Sequence, residues 1–155
     1  MDTISPEKRS EIMSSVRSKN TRPELRVRKY LWFHGIRYRV HIKDLPGSPD
    51  IVLQKYKAVI FVHGCFWHGH QGCRKSRLPT TRSSFWMDKR KANLERDARK
   101  ISELIQLGWR VAVVWQCVLE KPEIFSYIMN NLERWIISNN TYFEIPNRIE
   151  TTQNQ

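Results

Sequence analysis

The sequence predicts an α/β sandwich built on a mixed sheet, and three observations carry that prediction. Three continuous apolar runs, DIVL (50–53), KAVIFV (57–62) and WRVAVVW (109–115), have the length and β-branched content of strands buried on both faces. Between the second and third, residues 85–107 repeat apolar side chains at helical spacing and stop at Gly108. The first two runs are separated only by Gln54 to Lys57, a hairpin-like connection, whereas the last two have a helix between them. A helical crossover makes neighbouring strands parallel, so one sheet holds both kinds of pairing.

The elements follow in order along the chain. Ser5-Pro6 reads as an N-cap with Pro in the first turn, opening a short helix to about residue 16 that Ser18 to Asn20 break. Thr21-Arg22-Pro23-Glu24 has the capping-box spacing and starts a second helix through Leu25, Tyr30 and Leu31, ending near Gly35. RYRVHI (37–42) alternates like a half-buried strand, and LPGSPD (45–50) is a turn into DIVL. Residues 74–84 lack periodicity and form a basic loop before the long helix, where Trp86, Lys89, Leu94, Ile101, Leu104 and Ile105 mark the repeat. PEIFSYIMNNLERWI (122–136) is a last amphipathic helix, and the chain beyond Tyr142 reads as a polar tail. The expected organisation is a single domain over residues 1–138, beginning with a helical segment at 1–20, and a flexible tail at 139–155.

Composition narrows the class. With 40% hydrophobic and 11% aromatic residues the chain is globular, and no run of apolar residues reaches the length of a membrane span. The opening MDTISPEKRSE has no apolar signal-peptide core, so a cytoplasmic, nucleoid-associated protein is expected. The net charge of +12 is uneven: residues 74–100 hold ten Lys/Arg against three Asp/Glu, whereas the chain after Cys117 holds three against five. Concentrated positive charge with interleaved aromatics suits a surface that displaces counterions from nucleic acid, the alternative being a basic face that serves only solubility. No basic amphipathic helix argues for a membrane surface.

The stretch FVHGCFWHGHQGC (61–73) carries most of the chemistry. Cys65, His70 and Cys73 place two thiols and an imidazole on one loop, and Cys117 follows the WRVAVVW strand. Were that strand to lie beside KAVIFV, all three cysteines would gather at one end of the sheet. Four N/S ligands are what a closed, structural zinc site requires, and a reducing compartment leaves thiols free to supply them. Three inert buried thiols are the alternative.

Asp50 stands at the head of a strand after a tight turn, and the next strand ends in Phe61-Val62-His63. This arrangement resembles the PD-(D/E)xK nuclease pattern, with Phe61 and His63 where that pattern has its second acid and its lysine. The strings LPGSPD, VIFVHGCFWH, LPTTRSSFW, NLERDARKISELIQLGWRV and VVWQC resemble the very-short-patch-repair (Vsr) mismatch endonucleases, in a likeness that runs to about residue 138. The resemblance implies a restriction-endonuclease-like mixed-sheet sandwich with structural Zn²⁺ and catalytic Mg²⁺. It implies nicking of double-stranded DNA 5′ of the T in a T·G mismatch left by deamination of 5-methylcytosine. A monomer, mismatch-repair scaffold proteins and a cognate cytosine methyltransferase complete that expectation.

By the same resemblance, Asp50 and the backbone carbonyl of Val62 hold Mg²⁺, and His68 is the general base. His63 and Glu24 hold waters or phosphate oxygens around the cation, and Asp97 orients His68. Cys65, His70, Cys73 and Cys117 hold zinc, with Gln71-Gly72 one residue longer than the family's familiar spacing and Gly72 free to absorb it. Phe66, Trp67 and Trp86 enter the base stack, where unstacking is least costly at a mismatch. Lys8, Arg9, Arg17 and Lys19 grip DNA from the opposite groove, and Arg82 and Lys89 contact its backbone. Read from the residues alone, Glu24 is equally a capping acid and Asp97 equally one end of an ion pair within its helix, while His34 and His41 read as structural. Two other functions fit part of the pattern: a restriction-type nuclease cutting perfect duplex, and a zinc-stabilised module that binds mismatches without cutting.

Overall fold

A computed structural model describes residues 19–146 and bears out the mixed sheet. The 3-10 turn Gln54–Tyr56 is closed by Lys57 in the left-handed conformation (φ 53°) and sends the chain straight back. Strands β2 (Ile51–Leu53) and β3 (Ala58–His63) therefore pair antiparallel. Strand β4 (Arg110–Trp115) returns after a helix and pairs parallel to β3, with His63 opposite Trp115. The short β1 (Arg39–Val40) lies antiparallel on β2, and β5 (Tyr142–Ile145) lies parallel on β4.

Alternation within the apolar runs supplies both faces of the sheet. Ile60, Ala112 and Val114 point to a core shared with helices α1 (Arg22–Phe33) and α4 (Pro122–Ile137), through Val27, Leu31, Met129, Leu132 and Ile136. Val59, Phe61, Val111 and Val113 point the other way, onto Leu104, Ile101 and Ile105 of α2 (Ser83–Gln106). A strand covered on both faces has no need of polar alternation, which is why these runs read as continuous. Truncating a fully buried side chain such as Leu132 to Ala removes roughly 2–5 kcal/mol of stability. The Arg110 guanidinium donates to the carbonyls of Trp135, Ile136 and Asn140 and so ties the end of α4 to the start of β4.

Three expectations are revised. Residues 37–42 contribute only Arg39–Val40 to the sheet, because His41 turns into the left-handed region (φ 53°) and ends the strand. The long helix begins at Ser83, two residues before the first apolar repeat. The reading of 139–155 as a tail fails for Tyr142–Ile145: Phe143 stacks on Trp135 at 5.9 Å and Ile145 is buried, so this segment covers the edge of β4. The helix expected at 5–16, Lys8, Arg9, Arg17 and residues 147–155 lie outside the described residues.

Candidate active site and metal centre

Because β3 and β4 run parallel and in register, everything that follows their ends collects at one edge of the sheet. Cys65 leaves β3 two residues after His63, and Cys117 sits in the single turn α3 (Gln116–Leu119) directly after β4. The loop folds back on itself through His68 N–H to Gly64 O and His70 N–H to Cys65 O. Its return brings the side-chain ligand atoms of Cys65, His70, Cys73 and Cys117 within 4.8 Å of one another. His70 Nδ1 lies 3.6 Å from Cys65 Sγ and 3.5 Å from Cys117 Sγ. A tetrahedral zinc site has S···N edges of roughly 3.5 Å, so these atoms already stand at metal-site spacing.

Electrostatics favours a cation there. A hydrogen bond shared with Cys65 holds the Cys117 thiol well below its ordinary range, and the same bond raises Cys65. The pair thus already carries thiolate character, the form that ligates metal. His70 stacks on Trp115 at 4.2 Å, and Ser76 Oγ donates to the backbone carbonyls of His70 and Cys73, which fixes the loop. Gly72 adopts φ 76°, and a Cβ there would meet nothing within 4 Å; the glycine is required by conformation, not by space.

The second cluster faces a cleft of about 500 Å³ on the same edge. Asp50 Oδ2 accepts the Val62 backbone N–H at 2.7 Å, which aims the carboxylate across from the end of β3. Burial pushes the Asp50 carboxyl up to about 7, and the neighbouring Glu24 charge adds to the rise, against the lowering effect of the Val62 hydrogen bond. His63 and His68 stack face to face at 3.8 Å, and His68 Nδ1 meets Asp97 Oδ2 at 2.6 Å. The Asp97 contact makes Nδ1 the protonated nitrogen and leaves Nε2 as the basic one. His63 is buried, and that burial, with the nearby His68, keeps it neutral well below its ordinary range. Lys19, Lys43, Arg96 and Lys100 line the same cleft and give it a positive rim.

Glu24 is 1% exposed, and its role divides. Its backbone N–H donates to Thr21 Oγ1 at 3.4 Å, so the Thr21 half of the capping box forms. Its carboxylate turns instead to His41, whose Nε2 lies 3.2 Å from Oε1, and to Arg28 at 3.9 Å. These are ion-pair contacts only, and Glu24 Oε1 is a buried oxygen without a hydrogen-bond partner. The ligand atoms of Glu24, His41 and Asp50 all lie within 4.8 Å of one another.

Beside the cleft, Phe66 packs edge-on against Trp67 at 5.3 Å and against Trp86 at 5.6 Å. Lys89 Nζ sits over both Trp67 and Trp86, and Arg82 over Phe85. Arg90 donates to Phe66 O and Asn93 to Trp67 O, so two polar side chains of α2 pin the loop that carries the rings. All three rings are half-buried, a semi-exposed aromatic ledge rather than core, whereas Trp115 is 2% exposed.

A family model described as DNA mismatch endonuclease Vsr matches residues 1–75. The DNA mismatch endonuclease Vsr of Escherichia coli is 43% identical over 130 residues, covering 83% of each chain. The chain belongs to the Vsr family of DNA mismatch endonucleases. Two further Vsr-like relatives are nicking enzymes: type II nicking enzyme V.XorIIP of Xanthomonas oryzae is 58% identical over 76% of this chain and 86% of its own length. Type II nicking enzyme V.NmeAIP of Neisseria meningitidis is 46% identical over 87% of this chain and 96% of its own. Its function is that of a Vsr-type endonuclease. The catalytic domain of the homing endonuclease I-Bth0305I superposes with a TM-score of 0.50 at 23% identity, over 77% of this chain and all of that domain, in accord with the expected restriction-endonuclease-like sandwich. Among the described residues no helix is long and apolar enough to cross a membrane.

Within this Vsr frame, the structure draws together Asp50, His63, His68 and Asp97 as one group, the four Cys/His residues as another, and the three rings as a third. It also adds residues that sequence reasoning passed over. His41 reads as structural from the sequence because it belongs to no partner motif, yet it faces Glu24 and Asp50. Arg90 and Asn93 lie one turn beyond Trp86 and Lys89 on the same helix, and that spacing was the signal for them.

Proposed function

We propose that this protein is a Mg²⁺-dependent, strand-specific endonuclease that nicks double-stranded DNA 5′ of the T in a T·G mismatch, the product of 5-methylcytosine deamination. The observation that carries this reading is the single sheet edge shared by an acid-and-imidazole cleft and an aromatic ledge. One cuts, the other tests whether the stack opens.

The donor set fits a hard divalent cation. Asp50 is a half-buried carboxylate raised by its desolvation and by Glu24, and Glu24 holds an unsatisfied buried oxygen, so a cation would relieve both. Asp50 and the Val62 carbonyl would hold Mg²⁺, which supplies stabilisation of the charge that builds on phosphate and leaving oxygen. His68 takes the proton of the attacking water at Nε2, while Asp97 holds Nδ1–H and stabilises the imidazolium that results. His63, stacked on His68 and held neutral, offers a hydrogen bond to the phosphate without repelling the protonated base. Lys19, Arg82 and Lys89 meet the DNA backbone, and Lys8, Arg9 and Arg17 extend the grip. Phe66, Trp67 and Trp86 enter the stack at the mismatch. Cys65, His70, Cys73 and Cys117 form a closed Zn²⁺ site that keeps the loop in shape.

The protein acts as a monomer in the cytoplasm, with mismatch-repair scaffold proteins as further partners. Duplexes differing only in T·G or C·G at one position, with Mg²⁺ or EDTA, test the proposal alongside Asp50→Ala. A cation-dependent nick beside the mismatched T, lost in the variant, is expected. Cleavage of both duplexes would replace it with a restriction-type reading, and binding without cleavage across several flanking sequences would leave a mismatch-binding module.

A further inference from the structure

His41 is the one imidazole of the cleft that the mechanism leaves without a part. It occupies the left-handed region at φ 53°, a conformation that a non-glycine residue adopts only where its surroundings hold it. The consequence of that turn is that the ring leaves the outer edge of the sheet and enters the cleft opposite Asp50. Its Nε2 then faces acceptors: Glu24 Oε1 at 3.2 Å and Asn20 Oδ1 at 3.3 Å, with the Asp50 carboxylate within 4.8 Å. Asn20 Oδ1 is itself held by Arg28 Nη2 at 2.9 Å. Glu24 is almost wholly buried, and its Oε1 has no satisfied hydrogen bond. An imidazole nitrogen and two carboxylate oxygens converge where a proton alone serves them poorly.

We propose that His41 is a direct ligand of the divalent cation in this cleft, joining Asp50 and Glu24, so that the site prefers Mn²⁺ to Mg²⁺. Mg²⁺ takes oxygen donors and gives up its waters reluctantly, whereas first-row transition ions gain from an imidazole. The inference rests on the proposed cation at Asp50 and extends it to which ion that site selects. His63 and His68 are the other imidazoles near the cleft, but they stack on each other and their ligand atoms gather with Asp97, whereas those of Glu24 and Asp50 gather with His41.

Mn²⁺ binding to the zinc-loaded protein, read by electron paramagnetic resonance of the free ion and by pulsed detection of directly bonded nitrogen, tests this without an activity assay. Wild type is expected to bind Mn²⁺ at least about tenfold more tightly than Mg²⁺ in competition, with a nitrogen signal. His41→Ala should lose the nitrogen signal and about tenfold of Mn²⁺ affinity while Mg²⁺ affinity changes much less. His41→Asn, which tolerates the left-handed backbone, guards against a folding failure and should behave like Ala. A nitrogen signal that persists in both variants, or Mn²⁺ and Mg²⁺ affinities that fall together, would overturn the His41 assignment while binding remained sensitive to Asp50→Asn. Binding that ignores Asp50→Asn, or no binding at all, would overturn the cation site itself.

Discussion

The two ligand clusters hang from the same strand ends, His63 and Cys65 being only two residues apart, yet they handle charge in opposite ways. In the Cys/His cluster the groups satisfy one another: Cys65 shares its proton with Cys117, His70 leans on both sulfurs, and Ser76 braces the loop from behind. In the cleft the groups are left in conflict, with Asp50 pressed toward Glu24 and a buried oxygen unsatisfied. The first arrangement suits an ion that stays and shapes the chain. The second suits an ion and a substrate that come and go, since a bound cation offsets the charge conflict between the two carboxylates.

The sharpest way to break this contrast is to remove a ligand from the closed cluster. Cys65→Ala deletes a fully buried ligand, leaving three donors for four positions. Zinc content by elemental analysis should fall well below one per chain, and stability by at least about 4 kcal/mol, because metal affinity in such a site is folding free energy. Nicking should disappear along with it, since the loop also carries Phe66, Trp67 and His68. A variant that loses zinc yet keeps its melting temperature would show that the metal does not hold the fold, and wild type without zinc would show that the cluster is four inert side chains.

The cleft should respond in the opposite sense. Asp50 is raised from 3.8 in the unfolded chain to about 7 in the folded one, so the folded state holds the proton more tightly. The stability that this proton supports is fully present below about pH 4 and is lost as pH rises through 7. Asp50→Asn keeps an acceptor for the Val62 N–H but has no charge to bury. In EDTA at pH 8 the variant should therefore be more stable than wild type, by up to roughly 4 kcal/mol, with the gap closing toward pH 4. Denaturant titrations at the two pH values measure this. Adding a divalent cation should stabilise wild type and leave the variant unmoved.

How far the sequence reveals these features depends on whether the cause is local. Strands β2, β3 and β4 are legible because burial on both faces writes itself as an unbroken apolar run, and their shared edge then brings Cys65 beside Cys117. β5 escapes because YFEI is only four residues long and keeps Glu144 among apolar neighbours, too short for a period to stand out. Glu24 is half legible: the capping spacing is local, but the approach of its carboxylate to His41 and Asp50 is tertiary. His41 is invisible, because its place follows from a backbone reversal after β1 that no proline or glycine announces. Likewise Asp97 has Lys and Arg all around it in sequence, and only the fold sets His68 at 2.6 Å.

A smaller effect separates the ledge from both clusters. Trp86 is half-buried against Phe66 and beneath Lys89, so it is neither core like Trp115 nor a free surface ring. Trp86→Ala should weaken binding to a T·G duplex by roughly 1–3 kcal/mol, the value of one ring stacked on a base, and weaken binding to a C·G duplex much less. Melting temperature should move little, because much of the ring is already in water. Fluorescence anisotropy on the two duplexes decides the matter. Equal losses on both would reduce the ledge to a nonspecific contact, and the mismatch would have to be sensed by the loop that Arg90 and Asn93 hold in place.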